Sequence, residues 1–149
     1  MAAVNLASNL GTTANQFHQA SAQTKLVILH YIAKRIHQTS QMATPSAFFS
    51  QKVQEVLQQI QQLPKGDRHE ALEEILHGVP TRLTEAYEGL DANMRMAFWY
   101  RLANSRRGDV LLPSSYYLRN SQEQETLLSD LDSRDSNELV TFMRAAVEA

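Results

Sequence analysis

His69-Glu70 with Glu73 and His77 reads HExxExxxH, a pattern that brings zinc to mind. In HExxH both His ligands share one turn of one helix, and the second His here stands too far along for that geometry. His30 and His37 stand seven apart on one helical face, but no carboxylate lies at i+3 or i+4 to complete a ligand set. Cysteine is absent, which excludes disulfides, thiolate metal sites and Cys nucleophiles. No GxGxxG, GxxxxGK[ST] or GxSxG occurs, so dinucleotide, P-loop and hydrolase chemistry all lack their motifs. No constellation supports catalysis, and the chain reads as not an enzyme. Arg101, Arg106 and Arg107 form a basic cluster that either opposes a helix dipole or docks an acidic partner.

The one unusual constellation is apolar. Met94 to Ala103 holds the only Trp of the chain and sets Phe98, Trp99 and Tyr100 in succession. Consecutive helical positions point about 100° apart, so three aromatics in a row cannot share a face. A helix apolar around most of its circumference is either a central core helix or the wall of an apolar ligand site.

The elements that must position this stretch are legible along the chain. Met1 to Thr13 is small and polar and reads as a loose segment before a domain spanning 14–149. Phe17 anchors a turn or two, and Ser21 opens a helix whose Leu26, Leu29, Ala33 and Ile36 recur at helical spacing. After a loop to Pro45, Ser46 is expected to cap a helix with Val53, Val56, Leu57 and Ile60 inward and a solvated Gln-rich back. Asp67 is expected to cap a short helix to His77, and Thr81 another through Tyr87. The aromatic helix then runs from Ala92 to about Ser105. An extended connector follows, then a helix capped by Ser121, and a last helix from Ser136 to Val147. No segment alternates as a half-buried strand does, so the fold class is all-α, one compact domain of about seven helices.

Composition bounds the function. At 149 residues the chain can bury a sizeable core. A net charge of −2 argues against a general nucleic-acid binder. No stretch approaches the roughly 18 apolar residues of a membrane span, and the N-terminus lacks a secretory pattern. A cytoplasmic protein is expected.

Phe98-Trp99-Tyr100 followed by Leu102 and a Gly- and Pro-bearing connector resembles the N-terminal helical domain of the cyanobacterial orange carotenoid protein family, shared by the stand-alone helical carotenoid proteins. Ser21-Ala22 before the Leu26 helix, the Gln-rich run Leu57 to Leu63, Tyr87, and Thr141 to Val147 with Arg144 fall in register with it. The resemblance implies two interleaved helical bundles enclosing half of a keto-carotenoid, whose pigment quenches phycobilisome excitation and singlet oxygen. It places Leu26, Leu29, Leu72, Met96, Trp99, Tyr100, Thr141 and Val147 along the pigment tunnel. Arg144 matches an Arg that faces a regulatory domain or the antenna.

Four positions depart from that family's pattern. A tunnel Trp is His30, a Tyr one turn on is Ala33, a second Trp is Leu90, and a small Cys is Glu73. By general aromatic-pair magnitudes two lost ring contacts remove about 1–3 kcal/mol of pigment contact. A carboxylate facing the tunnel adds several kcal/mol of unfavourable desolvation unless it is paired or protonated. Two roles follow from the resemblance. One is a phycobilisome linker or adaptor at the antenna on the membrane surface, keeping the fold without a complete pigment tunnel. The other is a carotenoid-binding photoprotective module. The four departures together tip the sequence reading towards the adaptor, with no cofactor assigned by the residues themselves.

Overall fold

Ser21 stops one helix and starts the next. Its hydroxyl accepts the Thr24 N–H at 3.2 Å, and helix α2 (Ala22–Arg35) follows with Leu26, Val27, Ile28, Leu29, Ile32 and Ala33 all buried. A computed structural model describes residues 2–36, 45–104 and 122–148 of the chain. Among the described residues there are nine helices and no strand, and no helix is long and apolar enough to cross a membrane.

The N-terminal segment corrects the expectation of a loose residue 1–13 stretch. Helix α1 (Ala2–Gln19) is continuous through it. Asn5, Asn9, Gly11, Thr12 and Thr13 are poor helix formers, which is why local propensity argues against it. From Leu10 onward tertiary contact outweighs that propensity. Phe17 is 2 % exposed, Leu10 packs on the core, and Thr13 donates to the Asp130 carboxylate at 2.6 Å.

The middle of the chain also starts its helices elsewhere than expected. Pro45 opens a four-residue helix α3 (Pro45–Phe48), as its fixed φ allows at a first helical position. The cap of helix α4 (Gln51–Gln62) is therefore Ser50, whose hydroxyl accepts the Lys52 N–H at 3.2 Å, and not Ser46. Helix α5 (Lys65–His77) begins two residues before Asp67, which lies in its first turn instead of capping it. Pro64 occupies the capping position, and its carbonyl accepts the Asp67 N–H at 2.9 Å, so the first turn already encloses Asp67. Gly78 closes α5 at φ 70°, with the Val79 N–H reaching back to the Glu74 carbonyl at 3.0 Å.

Thr81 caps helix α6 (Arg82–Glu88) as expected, accepting the Thr84 N–H at 3.0 Å. The Asp91 carboxylate accepts the Met94 N–H at 2.9 Å and opens the aromatic helix α7 (Ala92–Ala103). Helix α8 (Gln122–Asp132) and helix α9 (Ser136–Glu148) complete the described chain. Ser121, the connector after α7 and the loop before Pro45 lie outside the described residues.

Packing sorts the helices into two groups around a shared pair. Helices α1, α8 and α9 pack on α2, and α9 also packs on α7. Helices α3 and α4 pack on α7, α5 packs on α2, and α6 closes against α4 and α5. Helices α2 and α7, in contact with each other, serve both groups, so the two bundles interleave and share one core. Asn104 ties the pair by donating its side-chain amide to the carbonyls of Ala33 at 3.2 Å and Tyr100 at 3.1 Å. Arg35 closes the first group by donating to the backbone carbonyl of Asp132 at 2.9 Å and to that of Arg134 at 3.2 Å. A cation at the end of α8 satisfies carbonyls that the helix leaves without partners.

Candidate functional site

Helix α7 enters the core from Asp91 and presents Met96, Phe98 and Trp99 to it, each 0 % exposed. Their directions differ, so the helix is enclosed on several sides, as its unbroken apolar run demands. Trp99 is the centre of an aromatic cluster. Its ring meets Phe98 edge to face at 5.0 Å and Tyr87 at 5.9 Å, and Tyr87 meets Phe98 at 5.5 Å. The indole N–H donates to the Tyr87 hydroxyl at 2.8 Å, which gives the buried donor its acceptor. Burial pushes the Tyr87 phenol up to about 12, against smaller opposing effects of the Trp99 hydrogen bond and the Arg95 charge.

Of the eight positions mapped onto a pigment tunnel, six lie in one buried cluster. They are Leu26 and Leu29 on α2, Leu72 on α5, Met96 and Trp99 on α7, and Val147 on α9. Tyr100 is half-buried and packs against that cluster from its edge. Thr141 does not join it. Its residue is exposed and its hydroxyl donates to the Asn137 carbonyl at 2.9 Å, one turn back on its own helix. On an amphipathic α9 whose Leu139, Phe142, Met143 and Val147 face inward, position 141 falls on the outer side.

Three of the four positions that depart from the family pattern, His30, Ala33 and Leu90, are buried. Ala33 is 0 % and Leu90 3 % exposed. His30 is also buried, and desolvation, helped by the nearby Lys34 charge, lowers its imidazole to about 4. Its ring is therefore neutral at pH 7. Glu73 is half-buried, so its carboxylate keeps part of its water and does not bear the full desolvation penalty.

Two of the arginines singled out as docking candidates, Arg101 and Arg144, brace helices against one another. Arg101 reaches the Gln54 side-chain carbonyl at 2.6 Å, bracing α7 against α4, and burial lowers its guanidinium below the usual arginine range. Arg144 donates to the Asn93 side chain at 3.0 Å, linking α9 to the first turn of α7. Arg106 and Arg107 lie outside the described residues. Among the described residues no three His, Asp or Glu side chains converge as metal ligands.

Sequence reading assigns no role to two residues of the site. Tyr87 was legible only as a match of pattern, and Arg95 not at all. A buried indole needs a hydrogen-bond acceptor, and the hydroxyl of a tyrosine one helical turn-and-loop upstream is the available signal for the first. Arg95 had no such signal, because its partners are the backbone carbonyls of Glu88 and Val147.

Comparison with known proteins bears on what this site is for. The chain is 26% identical over 137 residues to the orange carotenoid-binding protein of Synechocystis, a match that covers 91% of this chain and 43% of that relative. The chain thus spans under half the length of this curated relative. The structure of the orange carotenoid protein of Anabaena (Nostoc) binding canthaxanthin superposes with a TM-score of 0.78 at 20% identity, covering 93% of this chain and 45% of that one. The red carotenoid protein of the same organism, binding a mixture of carotenoids, superposes with a TM-score of 0.73 at 16% identity and covers 94% of this chain and 96% of that one. At these identities the superpositions speak for the fold. The sequence pattern of the orange carotenoid protein N-terminal domain, however, matches residues 3–149. An all-helical fold of two groups on a shared helix pair and a family pattern over nearly every residue agree, and the chain belongs to the orange carotenoid protein N-terminal family.

Proposed function

We propose that this domain binds a keto-carotenoid along the α2–α7 core and acts as a photoprotective module, quenching excitation or singlet oxygen. The observation that carries the proposal is the absence of charge at the buried departures. Ala33 and Leu90 are apolar, and His30 is held neutral by its own burial. A polyene needs a narrow apolar channel with ring faces against it, and an uncharged imidazole is no obstacle to that. Six of the eight mapped positions, Trp99 among them, supply the apolar wall. The four departures, which taken as residue types alone favour a pigment-free adaptor, weigh less once their surroundings are known. Canthaxanthin, the ligand of the Anabaena orange carotenoid protein, is the first pigment to try. Action at the phycobilisome belongs to the same proposal, on the strength of the family resemblance.

The test is colour. Expressed in a bacterial host that makes canthaxanthin, the purified chain should carry a visible band in the blue-green at near-stoichiometric pigment. A colourless product, in a host that pigments a related helical carotenoid protein, overturns the proposal. Co-sedimentation of that colourless product with phycobilisomes would then establish the adaptor role instead.

A further inference from the structure

Arg95 stands four residues before Trp99 on α7, on the same helical face. Its guanidinium makes three contacts with two other helices, α6 and α9. One nitrogen donates to the Val147 carbonyl near the end of α9 at 2.7 Å, and the other to the Glu88 carbonyl at the end of α6 at 3.0 Å. Both carbonyls belong to last helical turns, where no intrahelical donor remains and the dipole is negative. The guanidinium carbon also lies 5.1 Å from the centroid of the Tyr87 ring, within cation–π range. Tyr87 in turn accepts the Trp99 indole N–H at 2.8 Å. One cation thus fixes the ends of α6 and α9 and one face of the ring that holds the indole.

We propose that Tyr87 and Arg95 are positioning residues for Trp99, forming a chain from the ends of α6 and α9 to the indole that sets its plane in the core. The arrangement gives the Tyr87 hydroxyl a task that an aromatic ring alone would not perform. Phe would keep the edge-to-face packing with Phe98 and Trp99 but leave the indole N–H buried without an acceptor. It also explains why an arginine lies half-buried here. A lysine ammonium is a compact point charge without the planar fork that spans two helix ends while lying on a ring face. Positioning of the indole does not depend on any pigment. Its consequence, a ring face presented to a polyene at a fixed angle, rests on the proposed function.

The single Trp makes the test free of assignment. The proton–nitrogen correlation spectrum of the pigment-free chain contains one indole N–H peak. In Tyr87→Phe that peak should move upfield and its hydrogen exchange should become about tenfold faster, with the amide spectrum otherwise native. Arg95→Met should move the same peak in the same direction and speed exchange severalfold, and Arg95→Lys should fall between Arg95→Met and the parent. An unmoved indole peak in either Tyr87→Phe or Arg95→Met, with exchange within twofold of the parent, overturns the proposal even if thermal stability drops. If Arg95→Met does not fold, Arg95→Lys carries that arm under the same criterion. Loading with canthaxanthin separates the two claims. A chain that stays colourless but shows the indole shift refutes the pigment and keeps the positioning. A chain that takes up pigment equally in parent and Tyr87→Phe, with no indole shift, does the reverse.

Discussion

His30 carries an acid-sensitive contribution to stability that its burial makes predictable in sign. Its imidazole is lowered from 6.5 to about 4 in the folded chain, so the folded state disfavours the proton that the unfolded state accepts. The stability this confers is fully present above pH 6.5 and is lost as the pH falls towards 4. In His30→Phe the part of acid destabilisation between those values should shrink, read as a flatter dependence of the denaturation midpoint on pH. Tyr87 does the mirror image at the alkaline end. Its phenol is raised from 10.0 to about 12, so its contribution is intact below pH 10 and fades on the way to pH 12. At this scale the sequence was informative about residue type and silent about environment. His30 and Glu73 look equally polar as letters, yet one is a neutral ring in the core and the other is half in water. That difference comes from neighbours contributed by other helices, which no local window of sequence contains.

Helix α9 owes its start to a reciprocal pair. The Asp135 carboxylate accepts the Glu138 N–H at 2.9 Å, while the Glu138 carboxylate accepts the Asp135 N–H at 3.3 Å and the Arg134 guanidinium at 2.9 Å. Asp135→Ala should destabilise the protein by about 1 kcal/mol in urea unfolding, without changing the slope. Several helix starts are legible in the sequence from such polar residues. Ser21, Thr81 and Ser136 stand where their helices begin or just inside them. Of helix α1 the sequence shows only the turn or two around Phe17, because the letters before Ala14 favour no helix of their own. Its hold comes from Phe17 against Phe142, whose ring centroids are 5.7 Å apart, and from Thr13 on Asp130, a partner more than a hundred residues away. Ser46 and Ser50 illustrate a subtler limit. Both are competent caps, and only the four-residue turn begun by Pro45 decides which one is used.

At the scale of the whole molecule, the all-α class and the aromatic centre were legible because helical periodicity and an unbroken apolar run are local properties. The division of labour among helices was not, because it depends on which pairs meet. Helices α2 and α7 take part in both groups, and each has buried residues on most of its circumference. The molecule therefore lacks the seam along which a two-part protein comes apart. Far-UV circular dichroism, which reports every helix, and Trp99 fluorescence, which reports only the centre, should melt at one temperature in one step. Separated transitions would mean that one group stands without the other. A backbone cut at Gly89, between α2 and α7 in the chain, should leave two pieces that are each disordered alone and regain the Trp99 signal only when mixed. Such a pair would behave as a split reporter, in which light from one indole registers the meeting of two halves that have no structure to offer until they meet.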